Sequence, residues 1–157
     1  MVCVGEGENA ITDLANKISA GDKYDDVTNL WVKTKNGNIL KNGIINPVDV
    51  NNLELPDLSI FDDSRFYRPM YGKMYRMMPM ETHRGCPYKC TFCNSPSQNV
   101  LYDNATTGKF FRKRSIDMVR KDLLYLRDVM KVEYVYFWAD TFFAWSNKEF
   151  DEFCEMY

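Results

Sequence analysis

Apolar residues along this chain recur with two different periods, and the alternation between them sketches the architecture. Ile11, Leu14, Ala15 and Ile18 fall three and four residues apart, which predicts a helix with one core-facing side, ended by Gly21. Ile116, Val119, Leu123, Leu126 and Met130 repeat that spacing behind Ser115, a good N-cap, with Asp117 in the first turn. Asn147 to Tyr157 begins a further helix. Strand-like runs lie elsewhere, at Met1–Val4, at Met78, Met80 and Thr82, and at Glu133–Trp138. Leu30–Val32 and Ile39–Leu40 flank Asn36-Gly37, which predicts a hairpin.

Between these elements the chain is less regular. Asn42 to Asp63 is rich in Asn, Asp and Pro, turns at Leu55-Pro56-Asp57, and reads as a surface linker between two domains. Arg65 to Met80 interleaves basic and aromatic residues. That pattern suits stacking on nucleic acid, or an arm whose Tyr and Met pack while Arg and Lys stay in water; the second reading is adopted. Asn94 to Thr107 is polar and turn-prone. The C-terminal order of strand, cysteine loop, helix, strand and helix is a βαβ unit, implying parallel strands and an α/β fold.

The most informative stretch is Glu81–Asn94, ETHRGCPYKCTFCN. It places Cys86, Cys90 and Cys93 within eight residues. An odd count of thiols this close disfavours disulfides, since one is left over and short loops strain the bridge. Thiolates in a short irregular loop can turn toward one point and hold a metal. Three of them on a four-iron cluster leave one iron open to a ligand. The competing arrangement adds His83, three residues before Cys86, to make a Cys3His structural zinc site. Zinc loops more often use two separated Cys-x-x-Cys knuckles, and no second knuckle exists here; His83 reads instead as the end of a strand. Cys3 and Cys154 are lone cysteines, expected to be buried and inert.

Met1–Val4 runs into Gly5-Glu6-Gly7-Glu8 and then the first helix. Such a glycine turn lets a backbone approach a ligand, with helix N–H groups presented to it. It serves equally as a tight strand-to-helix connection, with Glu6 and Glu8 complementing the helix dipole. Asp140 follows the second strand of the βαβ unit directly. It occupies either a catalytic position at a strand's carboxyl end or the place of a solvent-facing capping residue. Phe142, Phe143 and Trp145 after it read as packing.

Cys86-x-x-x-Cys90-x-Phe92-Cys93 resembles the signature loop of the radical S-adenosylmethionine (radical SAM) enzymes. The wider string RGCPYKCTFC is similar to the subgroup that carries a cobalamin-binding domain ahead of the radical domain. The resemblance implies that the three cysteines hold a [4Fe-4S] cluster whose open iron takes S-adenosylmethionine. Reductive cleavage would then give methionine and a 5′-deoxyadenosyl radical. It implies that Phe92 sits near the adenine, and that Gly5 and Gly7 lie against the nucleotide tail of a corrinoid. Asp140 matches an acidic residue common near the cofactor. It also implies a small-molecule substrate, for methyl transfer to carbon or for ring rearrangement or cyclisation, and an external electron donor such as flavodoxin or ferredoxin.

On this resemblance residues 1–41 are expected to be the C-terminal remnant of a Rossmann-like cobalamin-binding domain, and 42–76 a linker and arm. Residues 77–157 would be the first βαβα part of a partial (β/α)6 radical SAM barrel. The earlier strands of a cobalamin domain and an Asp-x-His-x-x-Gly element are absent from the sequence, as are the later barrel strands, so the chain reads as a fragment that does not turn over by itself. A small structural zinc protein and an iron–sulfur electron-transfer module are the alternatives.

Bulk properties narrow the field further. Of 157 residues, 45% are hydrophobic and 27% charged, ordinary for a globular protein. A net charge of −2 gives no general case for nucleic acid or an anionic membrane. No apolar run spans a bilayer and no leader pattern opens the chain. Five cysteines, three of them clustered, suit a reducing cytoplasm.

Overall fold

A computed structural model describes all 157 residues. The chain is mixed α/β with four α-helices, and it divides into two compact units. One comprises Met1–Asp49 with Tyr88–Phe110, the other Val50–Pro87 with Phe111–Tyr157.

In the first unit, β1 (Val2–Cys3), β2 (Leu30–Lys33) and β3 (Ile39–Lys41) form an antiparallel sheet. The expected hairpin is present, pairing Trp31 with Lys41 and Lys33 with Ile39. Gly37 takes φ +84° in its turn, a conformation glycine adopts without Cβ strain. Helix α1 (Glu8–Ala20) ends as its sequence predicts, with Gly21 left-handed and its N–H donating to Ile18 O. The buried face differs from the expected one. Ala10 and Leu14 pack on Val27, Leu30 and Val32, whereas Ile11 and Ile18 are more than half exposed. Two well-spaced isoleucines are therefore not the residues that face this small sheet.

Asn94–Thr107 is also not a loop. Helix α2 (Ser95–Ala105) occupies it, with Pro96 in the first turn, where its missing N–H costs nothing. Only Tyr102 of this helix is buried, so no apolar stripe marks it.

The second unit is organised on one long strand, β5 (Lys73–Arg84). β4 (Tyr67–Met70) pairs antiparallel with its start, β6 (Arg112–Lys113) antiparallel with its end, and β7 (Tyr134–Ala139) runs parallel to it. Helix α3 (Ile116–Asp128) lies between β6 and β7 in sequence, and α4 (Asn147–Met156) follows β7. The parallel β5–α3–β7 order is the expected βαβ arrangement.

Burial on β5 has period two, at Met78, Met80 and Thr82, and the two methionines meet Val119 and Leu126 of α3 and Phe153 of α4. Burying a side chain of this size contributes roughly 1.5–3 kcal/mol, so this cluster is what holds helices to sheet. Ser115 caps α3, its Oγ accepting the Met118 N–H at 3.3 Å. Ser146 and Glu149 form a reciprocal capping box on α4, readable in the sequence as Ser-x-x-Glu.

Arg65–Met80 contains a β-hairpin whose Arg65, Arg68 and Lys73 are exposed as expected, but Arg76 is not. Tyr71 at its turn is almost fully exposed, while the Arg76 side chain is mostly buried over Phe66. Arg76 Nε donates to Met130 O at 2.7 Å, and a guanidinium N–H bonds Asp63. The cation is enclosed because its apolar stem covers an aromatic ring and its charge meets a carboxylate. Phe142 and Trp145 pack as expected, but Phe143 projects into solvent. Cys3 and Cys154 are both exposed free thiols, not the buried residues that lone cysteines usually are.

Candidate functional site

β5 and β7 are parallel, so their carboxyl ends lie on one edge, with His83 opposite Ala139. The residues that follow are those singled out by the sequence: Gly85 and Cys86 after β5, Asp140 after β7. A register shift between Glu81 and His83 marks a bulge, and the Thr82 carbonyl there accepts the Arg114 N–H at 2.9 Å. Glu81 and Arg84 are joined by two bonds of 3.0 and 2.9 Å at the mouth of the loop. Asp140 is exposed.

Residues 85–94 contain no helix or strand. Gly85 turns the chain off the strand at φ +78°. Cys86 is buried, 8% exposed, whereas Cys90 and Cys93 are exposed, and none of the three forms a disulfide. The Cys93 N–H donates to the Cys90 carbonyl at 3.1 Å, and the Ser95 N–H donates to Cys93 Sγ at 3.4 Å. Phe92 is 92% exposed and covers nothing. No three Cys, His, Asp or Glu side chains stand together as a metal site. Cys86 belongs to the second unit, Cys90 and Cys93 to the first.

His83 ends β5 as expected, and its surroundings are those of a core residue. The ring is 1% exposed, stacks on Phe111 at 5.8 Å and meets Trp145 edge-on at 4.2 Å. Its Nδ1 lies 2.9 Å from Thr82 Oγ1. Burial, and secondarily the charge of Lys113, push its pKa from 6.5 down to about 4, against an opposing pull from Glu149. Lys113 itself is held by both Glu149 oxygens at 2.6 Å, and with the Ser146 bonds this lowers the Glu149 carboxyl to about 2.

A pH dependence follows. The folded chain keeps His83 neutral where the unfolded chain protonates it, so stability falls as pH drops from about 6.5 toward 4. The loss amounts to about 3 kcal/mol at most. His83 is the chain's one histidine, so His83→Gln should flatten that part of a pH series of urea midpoints; an unchanged slope would contradict the assignment.

In the first unit Gly5 takes φ +94°. The space its missing side chain leaves is filled by the protein itself: a Cβ there would stand 2.8 Å from the Tyr102 hydroxyl. Gly7 is the N-cap of α1, makes no side-chain cap, and is open except for Cys3 Sγ at 3.9 Å. Glu6 is not a dipole-complementing acid. Its Oε2 accepts the Val48 N–H at 2.8 Å, its carbonyl accepts Asn29 Nδ2 at 2.9 Å, and its N–H donates to the Tyr102 hydroxyl at 2.8 Å. Sequence reasoning missed Tyr102 and Asn29 altogether, because their partners are remote in the chain.

Solved structures sharing this fold are of a cobalamin-dependent S-adenosylmethionine radical enzyme, and no protein-family model matches the chain. That enzyme is OxsB. Its aqua-cobalamin form superposes with a TM-score of 0.68, and its form with aqua-cobalamin and S-adenosylmethionine bound with 0.66. Each is 22% identical and covers 98% of this chain but 20% of OxsB. In sequence, the chain is 29% identical over 142 residues to the uncharacterized methyltransferase PH0819 of Pyrococcus horikoshii, matching 88% of this chain and 28% of that protein. The chain thus spans less than a third of the length of each. No helix is long and apolar enough to cross a membrane.

Proposed function

We propose that this chain is the cluster-bearing part of a cobalamin-dependent radical S-adenosylmethionine enzyme. The observation that carries the reading is the Cys86-x3-Cys90-x2-Cys93 loop, placed straight after a sheet strand whose parallel neighbour ends in Asp140. The likeness in fold to OxsB supports it.

The donor set suits a [4Fe-4S] cluster. None of the three thiols is spent in a disulfide, and they lie on ten residues without helix or strand, which can rearrange. An amide already donates to Cys93 Sγ, as hydrogen bonds to cluster sulfurs commonly do. When bound, the cluster supplies the electron that breaks a carbon–sulfur bond of S-adenosylmethionine. Cys86, Cys90 and Cys93 would hold it, and Phe92, exposed here, would be available to the adenine. Asp140 is available to a polar group of the cofactor or substrate.

For the corrinoid, the fit differs between the two glycines. Gly7 leaves backbone open at the start of α1, while the space at Gly5 is taken by Tyr102. Gly7 would therefore be the closer contact to a nucleotide tail. In this reading residues 1–41 correspond to the C-terminal part of a Rossmann-like cobalamin-binding domain and 42–76 to a linker. Residues 77–157 are the first part of a radical SAM barrel. The whole enzyme acts on a small molecule, by methyl transfer to carbon or by ring rearrangement or cyclisation, and draws electrons from a flavodoxin or ferredoxin.

The zinc alternative loses its fourth ligand, since His83 is enclosed between Phe111 and Trp145. Anaerobic incubation with iron and sulfide separates the two. Iron and labile sulfide retained in near-equal amounts are expected; stoichiometric zinc without sulfide would overturn the proposal.

A further inference from the structure

Helix α2 connects the two loops that the sequence marks out in the first unit. It starts directly from the cysteine loop: Asn94 is its N-cap, and the amide of Ser95 donates to Cys93 Sγ. Its sequence, SPSQNVLYDNA, carries no apolar stripe, and Val100 is exposed. What anchors it is Tyr102, 1% exposed, about 10 Å further along the helix axis at 1.5 Å per residue. The Tyr102 ring stacks on Phe110 at 5.6 Å. Its hydroxyl accepts the Glu6 N–H and fills the space beside Gly5. Beyond the helix, Asn46 Oδ1 accepts the N–H groups of Thr107 and Gly108 at 3.0 and 3.1 Å. A helix with one buried residue transmits displacement of its start to that residue's partners.

We propose that Tyr102 is a positioning residue that couples the loop bearing Cys90 and Cys93 to the Gly5–Gly7 loop, so that ordering either one restrains the other. What each loop holds rests on the function proposed above; the coupling itself does not. Its consequence for the enzyme is that cluster assembly sets the backbone against which the corrinoid tail lies.

The test is hydrogen exchange by mass spectrometry on the 157-residue chain and its Tyr102→Phe variant, which keeps the ring and removes the acceptor. Without cofactor, exchange across residues 4–9 should rise about fivefold, the effect of one hydrogen bond. Exchange across residues 90–95 should rise with it, while β5 and β7 stay unchanged. A rise at 4–9 alone, a rise everywhere, or none would overturn the proposal. Gly5→Ala, which presses a methyl group on the hydroxyl from the other side, should loosen 90–95 as well; an effect confined to 4–9 counts against coupling.

After anaerobic assembly with iron and sulfide, both proteins should give the same electron paramagnetic resonance (EPR) spin count. Residues 4–9 should then slow in the wild type and not in Tyr102→Phe; equal slowing overturns the coupling. If neither protein takes up iron and sulfide, the cluster reading falls, and the cofactor-free comparison still decides the coupling.

Discussion

Replacing Asp122 with alanine is expected to destabilise the second unit by about 3–5 kcal/mol, the usual cost of stranding one member of a buried ion pair. Asp122 and Arg114 are 3% and 6% exposed, and Arg114 Nη2 stands 2.6 Å from Asp122 Oδ2. The approach lacks hydrogen-bond alignment, and Arg114 Nε has no partner. The pair is therefore held by charge in a dry setting, where burial raises the Asp122 carboxyl and Arg114 opposes that rise. Removing the acid leaves a guanidinium that can neither lose its proton nor reach water. It also loosens the segment whose backbone N–H, on Arg114, bonds the bulge at Thr82 immediately before the cysteine loop. Since domains are stable by only about 5–15 kcal/mol, the variant should unfold at a much lower urea concentration. A loss below about 1 kcal/mol would show that the pair contributes little.

The second large effect concerns the metal. Cys90→Ala should reduce iron and sulfide retained after anaerobic assembly by at least about tenfold, because two thiolates do not hold a cubane that needs three. Cys3→Ala and Cys154→Ala are the controls. Both thiols are exposed and free, so they compete for iron in solution, yet neither lies in the loop. Unchanged sulfide in Cys90→Ala, or an equal loss in a control, would assign the metal to other ligands.

The elements that could be read from the sequence are those with a period and a cap. Helix α3 announced itself through Ser115 and the stripe from Ile116 to Met130, and the β2–β3 hairpin through Asn36-Gly37. Helix α2 could not be found that way, since one buried tyrosine makes no periodicity; the trace it left was a proline in the first turn. The face of α1 was misassigned because apolar spacing says which residues share a side, not whether that side meets anything. Arg76 reads from the sequence as a solvated charge and Glu6 as a complement to the helix dipole for the same reason: their partners, Met130 and Val48, are 54 and 42 residues away. At the site, the three thiols and Asp140 were visible as chemistry. Tyr102 against Gly5 and His83 between two aromatic rings arise only in the folded chain.

The account depends most on an iron left open by a three-cysteine loop. The direct measurement is the EPR spectrum of the anaerobically assembled, dithionite-reduced chain, recorded with and without S-adenosylmethionine. A [4Fe-4S] signal whose line shape changes on adding S-adenosylmethionine, and not on adding methionine alone, is the predicted result. A cluster signal indifferent to S-adenosylmethionine, or a protein that holds zinc and gives no signal, would contradict it.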